Sequence, residues 1–252
     1  MMAGPIGKDW LLMLLADVTK ALVVFAHCDD AEWFFGGTVA RLVAQGAEVS
    51  YVVCTDGSSG GVDLTVSDAE LAATRAAEQR AAAAVLGVLD VVFLGYPDDE
   101  LAVTVGLKRD LVRQIRRFRP ELVLALAPRR VLDAPVDWSH GDHMAAGEAT
   151  LQAVYPEALM PRIHPELLDE GLPPHAVTEV WVPAVGDADL YLDVTDVAQT
   201  KMDAVWCHWS QNGEADGDRA WMFEHRVGPW MEAAGARIGC RYAERFRRIP
   251  IR

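Results

Sequence analysis

The chain has 252 residues, 51% hydrophobic and 24% charged, a balance that suits one large globular α/β domain and excludes a disordered chain. Acids outnumber bases by 37 to 23, and the formal net charge of −14 excludes a bulk basic surface for nucleic acid or anionic lipid. No run approaches the roughly 18 uninterrupted apolar residues of a membrane span. Cys28, Cys54, Cys207 and Cys240 show no CxxC spacing and read as reduced thiols in a cytoplasmic protein.

Residues 1–20 read as an N-terminal extension; the apolar stretch 10–16, with Lys8 ahead of it, lacks the small-residue cleavage site of a signal peptide. Residues 21–26 (ALVVFA) are wholly apolar, as in a central parallel strand covered on both faces. A helix is predicted over 37–45, stopped by Gly46, and a second strand over 48–54 that ends in the turn-rich TDGSSGG of 55–61. Ser67 and Glu70 form a capping box for an Ala-rich helix that runs to Leu86 and closes at Gly87. A third strand over 90–94, a helix over 104–118 and a fourth strand over 121–127 follow. Beyond Pro128 the pattern gives a helix over 141–155, a Pro-rich loop over 156–176 and strands at 178–184 and 189–193. A helix capped at Thr195 and another over 217–234 complete the order. This alternation predicts a single α/β domain over 1–252, a Rossmann-like, doubly wound, mostly parallel sheet with helices on both faces. The tail 237–252 carries six arginines against the single acid Glu244 and reads as a solvated edge paired with the acidic remainder.

Ligands of open α/β sheets bind beyond the carboxyl ends of the strands. Strand one runs into His27, Asp29 and Asp30, with Glu32 close behind. Alone, this could be a helix-entry turn with Asp30 as its cap. A second cluster, Asp137, His140, Asp142 and His143, opens the helix after strand four. His140 and His143, three residues apart, project to the same side of a helical turn. Strands one and four are neighbours in the common doubly wound order, which would bring the clusters together. Two histidines and one aspartate make a catalytic metal ligand set with positions left open.

AHCDDAE at 26–32, followed by Gly36-Gly37-Thr38, resembles the AHPDDxE signature of the PIG-L/LmbE-like N-acetylglucosaminyl deacetylases. TDG at 55–57, LGYPDDEL at 94–101, HGDH at 140–143 and YAERF at 242–246 resemble that family's TDG, LGYPDGEL, HPDH and YAExF, in the same order. The resemblance implies a metal-dependent hydrolase that removes an N-acetyl or related N-acyl group from an aminosugar-containing small molecule. It places His27, Asp30 and His143 on the metal ligands, normally zinc, with Fe2+ or another divalent transition metal as alternatives. Asp29 falls on the general base and His140 on the residue that stabilises the oxyanion. A bound Zn2+ would supply water acidified to a pKa of about 7, and Asp29 would take its proton and return it to the leaving amine. Cys28 and Gly141 stand where the family carries proline, which loosens both loops. Cys28 is expected to point into the core, because adjacent side chains diverge.

Arg75 sits where the family often carries an arginine near the sugar or its substituent; a solvated helix face explains it equally. Asp98 and Asp99 are candidates for sugar hydroxyls, or form an Asx turn after Pro97. His164, His175, His208 and His225 read as structural or surface residues, with His208, in CHWSQ at 207–211, also resembling a family segment. GSSGG at 57–61 satisfies the GxSxG pattern of serine hydrolases, but a nucleophile elbow needs a helix directly after Ser59, and the next begins near Ser67. An Fe(II) oxygenase site of two histidines and a carboxylate would leave Asp29 without a task. An amidase of thiol-sugar conjugates and a non-catalytic metal-binding protein on the same scaffold remain alternatives. The expected partner is a small N-acetyl-aminosugar or conjugate, without nucleic acid or membrane, and a homo-oligomer is compatible with the sequence.

Overall fold

Apolar runs too short for helices become the centre of the sheet. The computed structural model describes residues 15, 17–132, 136–184, 186–212 and 218–251; the signal-like stretch 10–16 lies outside them except for Leu15. The main elements are β1 (Lys20–Phe25), α1 (Asp30–Ala44), β2 (Glu48–Thr55), α2 (Asp68–Val85), β3 (Asp90–Tyr96), α3 (Val105–Phe118), β4 (Leu122–Ala125) and α4 (Gly141–Gln152). They continue as β5 (Glu179–Pro183), β6 (Leu190–Asp193), α5 (Ala198–Val205), α6 (Gly228–Gly235) and β7 (Ala243–Pro250). The seven strands lie in the order β3-β2-β1-β4-β5-β7-β6. β1 pairs in parallel with both β2 and β4, so the ends of β1 and β4 are adjacent, as expected from the doubly wound order. β1 from Ala21 onward and all of β4 are buried, the burial expected of parallel strands covered on both faces. No helix among the described residues is long and apolar enough to cross a membrane. All four cysteines are free thiols, Cys28 and Cys54 among them buried.

The capping box at Ser67 and Glu70 forms as predicted and opens α2. Three sequence expectations need correction. α1 begins at Asp30 rather than near residue 37, since Gly36 and Gly37 lie inside the helix. They are contact points, not breaks: a Cβ on Gly37 would come within 2.8 Å of Val194. α4 stops at Gln152, because Tyr155 is extended ahead of Pro156 (φ −143, ψ 127). Thr195 does not cap a helix. Its hydroxyl bonds the backbone N and O of Tyr242, and α5 begins at Ala198 after a tight turn. The helix predicted over 217–234 does form: it runs unbroken over Arg219–Gly235, its N-cap Asp218 accepting from Trp221 N at 2.7 Å, with a π turn at Phe223–Val227 leading into α6. Residue 217 lies outside the described residues.

The basic tail is the largest correction. Its second half is β7, an antiparallel strand inserted between β5 and β6. Phe246 is fully buried, stacked on Phe35 at 6.0 Å and against Trp181 at 5.8 Å. The arginines do meet acids, with Arg247 at 3.1 Å from Asp189 and Arg248 at 2.7 Å from Glu179, but they decorate a sheet strand and not a loose edge. Glu244 points inward, where its carboxylate accepts from Gly37 N, Thr38 N, Thr38 Oγ1 and Lys201 Nζ at 2.6–2.8 Å. A buried carboxylate with this many charge-assisted donors ties β7 and α5 to α1.

Candidate active site

The turn between β1 and α1 delivers His27, Asp29 and Asp30 to the carboxyl edge of the sheet, and the start of α4 delivers His140, Asp142 and His143 beside them. His27, Asp29, Asp30, His140 and His143, with Asp98 and Asp99 from the loop after β3, line one cleft of about 870 Å³. His143 Nε2 is 3.0 Å from Asp30 Oδ1 and 3.3 Å from His27 Nδ1, while Asp30 Oδ2 is 3.6 Å from His27 Nδ1. These ligand-type atoms of His27, Asp30 and His143 all lie within 4.8 Å of one another.

The far side of His27 explains its orientation. Nε2 faces Asp98 Oδ1 at 3.1 Å and Asp142 Oδ2 at 3.2 Å, so that nitrogen keeps its proton, and Nδ1, which faces Asp30 and His143, is the one whose proton a metal would displace. Burial pulls the His27 pKa down, but hydrogen bonds to Asp142, Asp30 and Asp98 outweigh it and lift it to about 12. A site whose carboxylates draw a proton this strongly draws a divalent cation by the same charge. Two imidazole nitrogens and a carboxylate oxygen, convergent and nearly buried, fit a borderline transition metal. His27, His140 and Asp142 form a second grouping of the same kind. There, however, Asp142 already accepts from Asp99 N at 2.8 Å and Leu101 N at 3.2 Å, and His140 Nδ1 accepts from Asp142 N at 3.2 Å.

Asp29 occupies the N-cap position of α1 with φ 104 and ψ −30 and makes no side-chain cap bond. That backbone region costs a non-glycine residue of order 1–3 kcal/mol and is found where function demands it. Burial and the neighbouring Asp30 push the Asp29 pKa up to about 6, against His208, Arg75 and His27. Asp30 is the opposite: burial would raise it, but His143 and His27 hold its carboxyl well below the usual range. His140 caps α4, with Nε2 3.5 Å from the exposed Asp99 Oδ1.

Arg75 is buried, not solvated; it donates to Gly57 O at 3.0 Å and Cys28 O at 2.9 Å, and lies 3.7 Å from Asp98 Oδ2. Asp98 is buried as well, accepting from Ser59 N at 3.0 Å in addition to facing His27. Cys28 packs into the core as expected, and burial pushes its thiol up to about 12. Ser59 donates its hydroxyl to Asp98 O at 3.3 Å, and α2 starts only at Asp68, so no nucleophile elbow forms. His164 pairs with Glu157 at 2.8 Å and His175 with Pro120 O at 2.7 Å, both away from the cleft. His208 is fully buried, 3.0 Å from Glu32 Oε2.

Asp142, Glu32 and Gln79 were not singled out by sequence as site residues. For Asp142 the signal was there, a carboxylate between two histidines in HGDH. For Gln79, on the face of an alanine-rich helix, there was none.

With this geometry in hand, comparison with known proteins is informative. The family described as PIG-L: GlcNAc-PI de-N-acetylase matches residues 22–154. The diacetylchitobiose deacetylase of Thermococcus kodakarensis is 34% identical over 234 residues, 93% of this chain and 84% of that protein. The 1D-myo-inositol 2-acetamido-2-deoxy-alpha-D-glucopyranoside deacetylase of Actinosynnema mirum is 29% identical, over 79% of this chain and 83% of that one. The solved structure of N,N'-diacetylchitobiose deacetylase from Pyrococcus horikoshii, complexed with its inhibitor MPG, superposes with a TM-score of 0.85 at 31% identity, covering 96% of this chain and 90% of that one. A match to more than half of the chain, together with a relative 34% identical over 93% of it, places this chain in the PIG-L family.

Proposed function

We propose that this protein is a metal-dependent N-deacetylase that hydrolyses the acetamide of an N-acetyl-aminosugar or a small conjugate of one. The observation that carries the reading is the convergence of His27, Asp30 and His143 donor atoms within 4.8 Å, with Asp29 lining the same cleft. Storage of a metal requires the three ligands; it does not require a neighbouring carboxylate held at a costly φ with its oxygens kept off the helix end. Relatives that deacetylate aminosugars support the substrate class.

His27, Asp30 and His143 would hold the ion, and the nitrogen-rich donor set favours zinc, with Fe2+ or another divalent transition metal as the alternative. Such an ion supplies Lewis acidity toward the acetamide and acidifies water. Asp98 and Asp142 fix the tautomer and ring plane of His27. Asp29 accepts the proton of the attacking water and returns it to the departing amine. His140, at the mouth of the cleft, donates to the oxygen that gains charge as the carbonyl becomes tetrahedral. Asp99, exposed beside His140, is our candidate for meeting sugar hydroxyls, whereas Asp98 and Arg75, buried in the cleft wall, act through His27 and the Cys28 carbonyl.

The test is release of primary amine by metal-loaded protein across N-acetylglucosamine, N,N'-diacetylchitobiose, and inositol and malate conjugates of N-acetylglucosamine. Turnover of at least one, abolished by a chelator and indifferent to a serine-directed phosphonate, is the expected result. Amine release from none of them, or turnover that survives the chelator, would refute the reading.

A further inference from the structure

α2 buries an unusual face. Of its four buried residues, Ala82 and Ala83 are apolar, but the other two are Arg75 and Gln79. They lie four residues apart and therefore share one side of the helix. Both reach the same peptide bond. Arg75 Nη2 donates to Cys28 O at 2.9 Å, and Gln79 Oε1 accepts from Asp29 N at 2.9 Å. The carbonyl and the amide of the Cys28–Asp29 peptide are thus gripped from one rigid helix. The next bond along the chain is the φ of Asp29, at 104°.

We propose that Arg75 and Gln79 form a clamp that fixes the Cys28–Asp29 peptide plane, and that this clamp aims the Asp29 carboxylate into the cleft. An aspartate at a helix N-cap ordinarily adopts extended φ/ψ and bonds its own helix end. Asp29 does neither: its side chain makes no cap bond, while its carbonyl accepts from Glu32 N and Trp33 N at 3.0 and 3.1 Å. Without a hold on its amide, nothing opposes relaxation to the ordinary cap, which would turn the carboxylate onto the helix end and away from the site.

The clamp is itself oriented. Gln79 Nε2 lies 3.1 Å from each oxygen of Glu32, and His208 Nε2 stands 3.0 Å from Glu32 Oε2. A carboxylate only accepts and a backbone N–H only donates, so one amide orientation alone satisfies both neighbours: NH2 toward Glu32, oxygen toward Asp29. Glu32, Gln79 and His208 are all 0% exposed, so water offers no substitute partner. Arg75 is held by its second contact, to Gly57 O at 3.0 Å. Gln79 and Arg75 are positioning residues; they act on the reaction through Asp29, and only under the role given to Asp29 above.

Gln79→Leu should leave bound metal and KM near wild type, lower kcat by about ten- to a hundredfold, and move the Asp29 φ out of the positive region in the variant's crystal structure. The double variant Glu32→Gln/Gln79→Glu exchanges carboxylate and amide: residue 79 still accepts from Asp29 N, an amide NH2 still bonds a carboxylate between 32 and 79, now in the reverse direction, residue 32 still offers an oxygen to His208, and the net charge is unchanged, so it should restore both kcat and the Asp29 backbone. If Gln79→Leu fails to fold, the double variant carries the test alone, since the clamp requires it to fold with a positive Asp29 φ and near-wild-type kcat. Either readout unmoved in Gln79→Leu, or a double variant that recovers neither, overturns the clamp. A moved φ in a protein whose wild type deacetylates nothing would instead count against the chemistry assigned to Asp29 and leave the clamp standing.

Discussion

Asp29 and Asp30 are adjacent carboxylates in opposite environments. Asp30 faces two histidines that hold it ionised well below the usual range, whereas burial and Asp30 itself push Asp29 up to about 6. Neighbouring groups driven apart in this way suit different tasks, and ligand and proton acceptor are the ones proposed above. Asp29→Asn should therefore retain one metal per chain by elemental analysis and lose about 10²–10⁴-fold in turnover. His143→Ala should lose the metal itself, because it removes one of three convergent donors whose remaining pair leaves a cation mostly hydrated. The polar types and spacing of His27, Asp29, Asp30, His140 and His143 were legible in the chain. What was not legible was the support behind them, since Gln79 and Glu32 acquire their meaning only from a positive φ at Asp29 that no residue identity announces. Arg75 was visible, yet its partners are the backbone carbonyls of Cys28 and Gly57, which leave no mark in a sequence.

β7 shows why element prediction failed where it did. A strand normally betrays itself by alternation, but Glu244 occupies an inward position and arginines flank Phe246, so 237–252 reads as a charged edge. The buried pair of Glu244 with Lys201 and the stack of Phe246 between Phe35 and Trp181 are tertiary facts. Phe246→Ala should destabilise the fold by about 3–5 kcal/mol in urea denaturation, while Arg247→Ala, which loses one exposed ion pair with Asp189, should change it by less than about 1 kcal/mol. The opposite ranking would mean that charge, and not packing, holds the strand. A second contact responds to pH. Burial would raise the Glu157 pKa, but Lys108 and His164 outweigh it and set it below its ordinary 4.5. A carboxyl with a depressed folded-state pKa stabilises fully above its unfolded value and loses that contribution as pH falls through the folded one. Urea midpoints should accordingly drop below pH 4.5, and Glu157→Gln should start lower at pH 7 and show a shallower acid loss. An equal acid slope in the variant would assign the effect to other carboxylates.

Across the whole molecule, the alternation of apolar strands and capped helices predicted the parallel half of the sheet and the adjacency of β1 and β4. That adjacency is what joins the two halves of the metal site, 116 residues apart between His27 and His143. In the antiparallel half, β5 and β6 were legible as strands, but the entry of β7 between them is set by long-range packing and had no local signature. The net charge of −14 acquires a more specific meaning at the cleft, where Asp29, Asp30, Asp98 and Asp142 surround His27 and His143 and favour a cation. The central claim is that this cation is required for removing an N-acetyl group, and amine release during stepwise reloading of chelator-stripped protein tests it most directly. With an N-acetyl-aminosugar as substrate, turnover should rise from zero in proportion to added divalent transition metal and level off at one equivalent per chain. Full activity in the stripped protein, or one equivalent bound without any amine released, would contradict the account.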